Sequence, residues 1–139
     1  MREINFRVWS NRNKEMINVN ECEVFLDFNG KVYTTGIDEY GDVEYCEVED
    51  IELLQYTGLN DKNGKEIYEG DIIEGGYSNP LGGGFISKKY IIEYDIEKGG
   101  YMGHIIGHRP YGDTWIQFIK GKIIGNIYEN ADLLNTNTL

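Results

Sequence analysis

The chain has little proline and no long apolar run, and these shortages exclude several classes of protein. Two prolines stand against 18 glycines in 139 residues, a balance that favours the many turns of an all-β chain over helices. No apolar run approaches the length of a membrane span. The opening Met1-Arg2-Glu3-Ile4-Asn5-Phe6 lacks the hydrophobic core of a signal peptide. We therefore expect no membrane association and a location in the cytoplasm.

Cysteine is also scarce, which argues against disulfide-stabilised and thiol-dependent proteins. Cys22 and Cys46 are the only two. In a chain without an export signal, two reduced thiols are the simplest interpretation and a disulfide is the less favoured one. Neither cysteine has a histidine close by in sequence, so a thiol nucleophile has no support, although a pairing in space would not be visible at this level.

Positive charge is missing from one stretch above all. Residues 21–52 hold 11 acids and one base, Lys31, a net charge of −10 out of −11 for the whole chain. Such a segment repels phosphate, which disfavours direct nucleic-acid binding, and attracts a basic protein surface. Its candidate contact residues are Glu44, Glu47, Glu49 and Glu52. The alternative interpretation is a solvated face that only aids solubility.

Short alternations of apolar and polar residues, separated by turn residues, predict β strands along the whole chain. The predicted strands are 4–9, 15–19, 22–28, 31–35, 43–48, a strand entered at Ile72-Ile73, 89–95, 101–106, 114–118 and 122–128. Trp9, a large apolar residue in the first strand, is expected to be largely buried. Asn29-Gly30 predicts a hairpin turn, and Asn63-Gly64 predicts a tight turn with Gly64 at positive φ. Asn130 is the predicted N-cap of a short helical turn over 130–134.

Glycine is concentrated between residues 75 and 84. A phosphate-binding loop would need a Gly-Lys-Ser/Thr sequence and a helix start, and neither follows here. We therefore predict a flexible hairpin tip and no cofactor.

Two groups of residues resemble catalytic or metal sites. His104 and His108 lie four apart, as zinc ligands do on a helix, but Gly103 and Gly107 beside them indicate strand and turn, and Asp113 is the only close acid. Paired carboxylates can act as acid and base, although turn capping and solvent exposure explain this sequence cluster more simply. The cluster consists of Glu66, Glu69, Asp71 and Glu74.

Tyrosine is abundant, with 11 residues in the chain. Tyrosine suits interfaces because it buries a large area at a small entropy cost and keeps a polar tip. The candidates in the charge-neutral half are Tyr90, Tyr94, Tyr101 and Tyr111. Packing within the β sheets is the alternative function for most of them.

Three stretches, in this order, resemble the YopX family of bacteriophage and prophage proteins. They are Phe6-Arg7-Val8-Trp9 followed by Met16, the run from Gln55-Tyr56-Thr57-Gly58-Leu59 through Glu69-Gly70-Asp71-Ile72-Ile73, and Ile124-Gly125-Asn126-Ile127-Tyr128-Glu129-Asn130 with Leu133-Leu134. The chain departs from the family pattern at Val8, where Ala is usual, and at Ser10, where Asp is usual. The resemblance implies a phage genome setting, a C-terminal SH3-like barrel and no established activity.

We therefore expect a mainly β protein of small antiparallel lobes. The predicted N-terminal β lobe spans 1–54 and contains the acidic segment, and the SH3-like barrel spans 55–139 and contains the Gly-rich loop. The favoured function is a non-enzymatic binding or assembly module acting as a homo-oligomer in the cytoplasm of a bacterial host. One alternative is an acidic decoy that binds a basic host or phage protein, such as a nucleic-acid-handling protein. A weaker one is a hydrolase or nuclease that uses the carboxylate cluster.

Overall fold

The computed structural model describes residues 2–18, 23–107 and 113–135. Within these ranges the chain forms twelve β strands and two short 3-10 turns, which confirms the expected mainly β class. The strands are β1 Phe6–Ser10, β2 Glu15–Met16, β3 Val24–Leu26, β4 Val32–Ile37, β5 Val43–Glu47, β6 Ile51–Asn60, β7 Glu66–Tyr68, β8 Asp71–Ser78, β9 Phe85–Asp95, β10 Gly100–Ile105, β11 Thr114–Trp115 and β12 Gly121–Asn126. The 3-10 turns are Ile116–Phe118 and Ala131–Leu134. No helix in the described ranges has the length and apolar character needed to span a bilayer.

The chain divides into two compact units. The acidic unit contains Arg7–Leu53, and the C-terminal unit contains the residues before Arg7 together with those from Leu54 onward. One four-stranded sheet has the order β2-β1-β6-β7.

The acidic unit contains a β1–β2 hairpin and an antiparallel three-stranded sheet of order β3-β4-β5. Trp9 is only 5% exposed, so its predicted burial is confirmed, and Val8 and Val32 are buried as well. The alternation over 43–48 does form a strand, β5, although all five of its residues are exposed.

The C-terminal unit contains a five-stranded sheet of order β11-β10-β9-β8-β12, and its described pairings are antiparallel. Four buried side chains, Ile67, Ile73, Ile92 and Ile116, form its core. Three further apolar side chains pack against that core, namely Tyr101, Ile119 and Ile123. Ile72 on β8 and Met102 on β10 are also almost inaccessible to water.

The same five-residue turn closes three hairpins, and each copy has the pattern Asp-x-x-Gly-x. The copies begin at Asp27, Asp38 and Asp61. In each, the Asp Oδ1 accepts the N–H groups of the residues two and four positions later, and the Asp carbonyl accepts the Gly N–H. The glycine is left-handed in every case, including Gly64 at φ +83°, as predicted. The predicted Asn29-Gly30 turn belongs to this class, and its carboxylate anchor is Asp27.

Several local predictions differ from the structure. The predicted strands 15–19, 22–28 and 122–128 are present as the shorter strands β2, β3 and β12. Strand β8 continues to Ser78, so the predicted loop over 75–84 is reduced to residues 79–84. The predicted strand over 114–118 ends after Trp115 and continues as a 3-10 turn. The predicted N-cap function of Asn130 is wrong, because no side-chain hydrogen bond caps the turn and the Asn130 Oδ1 accepts the N–H of Asn126 instead.

Candidate interaction surfaces

Asp61, in the longest motif of the sequence, connects a hairpin turn to a distant strand. Its Oδ1 holds the turn, and its Oδ2 accepts the N–H of Ile123 on β12 at 2.9 Å. Lys62 reinforces the connection because its N–H donates to the Gly121 carbonyl. Burial raises the pKa of Asp61, but the backbone N–H donors, that of Ile123 foremost, outweigh it and hold the pKa below its usual value. The carboxylate is therefore structural.

Gly70 and Asp71 hold a second junction of the same unit. Gly70 lies at φ +86°, its N–H donates to Ile92, and its carbonyl accepts the N–H of Ile127. The Asp71 Oδ2 accepts the N–H of Tyr68 at 2.8 Å, and Asp71 is only 2% exposed. The motif residues therefore join β7, β8, β9 and the segment after β12.

The closing motif folds back on itself in a similar way. The Asn126 Oδ1 accepts the N–H groups of Tyr128 and Glu129, and the Asn126 amide donates to the Glu129 carboxylate. Asn126 is buried. Its polar atoms are used to order the turn.

The carboxylates of the candidate acid–base cluster have separate partners. Glu66 accepts the Tyr68 hydroxyl at 2.8 Å and the Asn5 amide at 3.3 Å, whereas Glu69 accepts the Tyr101 hydroxyl at 3.3 Å. Glu74 lies opposite Lys89 on β9 and opposite Lys122 on β12. In the part of the chain that the structure describes, no group of three or more His, Cys, Asp or Glu residues could hold a metal ion.

Glu69 and Tyr101 are hydrogen-bonded to each other, and the pKa values of both are raised. Burial raises the pKa of Glu69, and the hydrogen bonds from Tyr101 and from the Gln55 backbone offset this only in part. Burial and the nearby Glu69 carboxylate raise the pKa of Tyr101 to about 12. Tyr94 lies opposite Tyr101 and packs edge to face on it, with ring centroids 5.2 Å apart. The pair orders an aromatic surface because each ring fixes the other.

The tyrosine candidates differ widely in exposure. Tyr90 is 9% exposed and belongs to the buried interior, whereas Tyr94 is 50% exposed on the same strand. Tyr101, which lies opposite Tyr94 on β10, is half-buried. Tyr111 lies outside the described residues. Tyr94 and Tyr101 therefore remain as the tyrosine surface.

His104 lies between two carboxylates. Its Nδ1 is 2.7 Å from the Asp113 Oδ1, and its Nε2 is 3.5 Å from the Glu93 Oε2. The sequence indicated Asp113 but not Glu93, which reaches His104 across the β9–β10 ladder. A groove of about 250 Å³ adjoins the imidazole, and its other lining residues supply no nucleophile: Ile91, Ile105, Ile106, Gly107 and Leu134. His108 lies outside the described residues.

The acidic candidates are all exposed to solvent, namely Glu44, Glu47, Glu49 and Glu52. Glu44 and Glu47 project from opposite faces of β5, since Glu44 lies opposite Gly36 and Glu47 opposite Tyr33. The structure therefore spreads the acids over both faces of the sheet.

Cys46 is an exposed free thiol between these acids, and Cys22 lies outside the described residues. Partial desolvation and the Glu44 carboxylate raise the pKa of the Cys46 thiol. A raised pKa reduces the thiolate fraction, so this site is poorly suited to nucleophilic chemistry.

Sequence reasoning missed the apolar residues of the same sheet. Ile37, Val43 and Tyr45 are 70%, 61% and 66% exposed, and Phe25 is 41% exposed. The available signal was the alternation of Val43 and Tyr45 with acids along β5, which places both on one face.

Comparison with known proteins agrees with the motif analysis. The family model described as YopX protein matches residues 5–135. The crystal structure of protein EF1440 from Enterococcus faecalis is similar at 25% identity and a TM-score of 0.56, over 97% of this chain and 100% of that one. The crystal structure of protein yopX from Bacillus subtilis shares the fold at 17% identity and a TM-score of 0.59, with the same coverage. No curated protein matches the chain. The predicted resemblance is confirmed, and the chain belongs to the YopX protein family.

Proposed function

We propose that this YopX-family protein is a non-enzymatic binding or assembly module, encoded by a phage or prophage and working as a homo-oligomer in the cytoplasm of the bacterial host. The observation that supports self-association is the Tyr94–Tyr101 pair. It presents a half-exposed aromatic ring in the half of the chain, residues 75–139, where six acids balance six bases. Tyrosine suits such a contact because it buries a large area at a small entropy cost and keeps a polar tip.

The titratable groups support a binding function over catalysis. Asp61, Glu69 and Tyr101 have shifted pKa values, and each has a hydrogen-bond partner within the fold. Their shifts follow from burial and from these partners, without the need for a reaction to explain them.

Sedimentation velocity over a range of protein concentrations tests the proposal. We expect an oligomer that Tyr94→Ser dissociates and Tyr40→Ser does not, because Tyr40 is an 81% exposed tyrosine in the acidic unit and serves as a matched control. A strict monomer at high concentration would contradict the proposal.

We also propose that the C-terminal strands form an SH3-like barrel over residues 55–139. The link from Asp61 to Ile123 supports this, since it brings the β6–β7 turn against β12, the edge of the five-stranded sheet. An experimental structure in which the β6–β7 turn stands apart from β12 would contradict this arrangement.

A second candidate function is an acidic decoy for a basic, nucleic-acid-handling protein. The exposure of Glu44, Glu47, Glu49 and Glu52 favours it, because exposed charges remain available to a partner. Reversing these four charges should abolish capture of such a partner in pull-downs, and added salt should weaken capture by the unmodified protein. Salt-insensitive capture that survives the reversal would exclude the decoy.

A further inference from the structure

The three-stranded sheet of the acidic unit exposes an apolar face. Antiparallel partners project their side chains to the same side of a sheet. Ile37 lies opposite Val43, Thr35 opposite Tyr45, and Tyr33 opposite both Phe25 and Glu47. One side of the sheet therefore carries Phe25, Ile37, Val43 and Tyr45, which we call the outer face. Its two most exposed members, Ile37 and Tyr45, are 70% and 66% accessible.

The outer face is ordered before any partner arrives. Phe25 and Tyr45 pack edge to face across the central strand, with ring centroids 5.5 Å apart. Tyr33 donates its hydroxyl to the Asp27 Oδ2 at 3.3 Å, and Asp27 is fixed by its own turn. A preorganised aromatic surface loses little conformational entropy on binding, so it can contribute to affinity.

The charge around the outer face determines which occupant fits it. Residues 21–52, which contain the whole sheet, carry 11 acids and one base. A second copy seated on this face would bring two such segments together, and like charges in an interface oppose association. Nucleic acid is disfavoured for the same reason. A positively charged protein segment satisfies both the apolar face and the acids around it.

We propose that the outer face docks a basic segment of another protein, in which lysine or arginine residues alternate with apolar side chains. This inference rests on the proposed binding function and adds its partner class and contact residues. The apolar side chains of the segment cover Ile37, Val43 and Tyr45, while its cations meet the exposed acids around the sheet and compete with Lys31, whose Nζ lies 4.0 Å from the Glu47 Oε1. Self-association remains with the C-terminal unit.

Two synthetic peptides separate this proposal from attraction by charge alone. One alternates Lys and Leu, and the other alternates Lys and Ser at equal length and charge. Calorimetric titration should show that the intact protein binds the Lys/Leu peptide more tightly by about tenfold, as expected for a difference of about 1.4 kcal/mol. Val43→Ser with Tyr45→Ser should remove that preference and leave the weak, salt-sensitive binding of the Lys/Ser peptide unchanged.

Two single substitutions, one on the outer face and one outside it, complete the peptide test. Ile37→Ser, on the neighbouring strand, should reduce the preference by itself. Ile96→Ser, at an 87% exposed apolar site in the C-terminal unit, should not change it. Equal affinity for the two peptides, or a preference that survives the double substitution, would overturn the proposal.

Sedimentation of the same variants distinguishes a failure of the peptide-docking proposal from a failure of the proposed homo-oligomer. If Val43→Ser with Tyr45→Ser dissociated the homo-oligomer, the outer face would be a self-contact and the inference would be wrong while self-association stood. A strictly monomeric protein that still preferred the Lys/Leu peptide would contradict only the homo-oligomer.

Discussion

At the scale of single residues, Asp61 and Asp38 show how two aspartates in the same kind of turn can differ in the number of structural contacts they make. Both anchor the same Asp-x-x-Gly-x turn with the same pair of Oδ1 hydrogen bonds. The Asp61 Oδ2 accepts a further hydrogen bond, from the N–H of Ile123 on another strand. The sequence pattern identifies the turn, whereas the link to β12 depends on a residue 62 positions away and becomes visible only in the fold.

The Asp61→Asn substitution tests that difference. An amide has one acceptor oxygen, so it can keep the turn or the Ile123 bond, but not both. We expect Asp61→Asn to lower the free energy of unfolding by about 1–3 kcal/mol, the usual cost of leaving a buried donor unsatisfied. Asp38→Asn, its matched control, should have a smaller effect. Urea denaturation measures both, and equal losses would show that the Ile123 bond is not stabilising.

The same variant has a defined pH dependence. Because the pKa of Asp61 is depressed in the fold, its ionised form contributes stability that is fully present above the unfolded pKa, about 3.9, and is lost as the pH falls through the lower folded pKa. The difference between the unmodified protein and Asp61→Asn should therefore narrow in that acid range. A constant difference down to the lowest accessible pH would contradict a depressed pKa.

Glu69 should behave in the opposite way. Its pKa is raised, so the fold favours the protonated form and loses stability as the pH rises above the unfolded value of about 4.3. Glu69→Gln keeps an acceptor for the Tyr101 hydroxyl and removes the charge. We expect this variant to be more stable than the unmodified protein at neutral pH and equal to it in acid. Thermal unfolding at the two pH values measures this, and a variant destabilised at neutral pH would contradict it.

At the scale of strands and turns, the sequence predicted those features that depend only on neighbouring residues. Asn63-Gly64 and Asn29-Gly30 marked their turns because a left-handed glycine is a property of a few neighbouring residues. Gly75 lies in strand β8 and not in the predicted loop. Glycine is needed at this position because a side chain would strike the Lys120 carbonyl on the approach to β12. The glycine-rich sequence therefore has two different structural origins in this chain, a tight hairpin tip with glycines at positive φ and a close contact between strands.

Tyr94 shows that the alternation of apolar and polar residues along a strand does not predict how deeply each side chain is buried. Tyr90, Ile92 and Tyr94 point to the same face of β9, yet the first two are buried and the third is half exposed. Periodicity gives the face of a strand and not the depth at which the sheet ends. For this reason the sequence could nominate four tyrosines for the surface but could not tell which of them are in the core.

Gly64 and Gly70 provide a matched test of turn geometry. Both have φ between +83° and +86°, but a side chain at Gly64 would meet open space, whereas one at Gly70 would lie 2.8 Å from the Tyr128 ring. We expect Gly64→Ala to cost about 1–2 kcal/mol, the backbone penalty alone. Gly70→Ala should cost more, because the ring must also move. Equal losses in urea denaturation would show that Tyr128 yields freely.

At the scale of the whole molecule, the negative charge is concentrated in residues 21–52, and residues 75–139 have no net charge. The acidic unit combines exposed carboxylates with the outer face, and the charge-neutral half presents the Tyr94–Tyr101 pair. The charge asymmetry was evident from the sequence, because it depends only on composition. The outer face was not, because its four residues come from three strands and only the register brings them to one side.

Hydrogen exchange measured by mass spectrometry tests this separation most directly, with the full chain dilute, concentrated, and dilute with the Lys/Leu peptide. Binding slows amide exchange where it suppresses local opening. We predict that concentration protects β9 and β10 and leaves β3–β5 unchanged, and that the peptide protects β3–β5. Protection of β5 on concentration alone, or no protection of β3–β5 by the peptide, would show that the two surfaces do not have these separate functions.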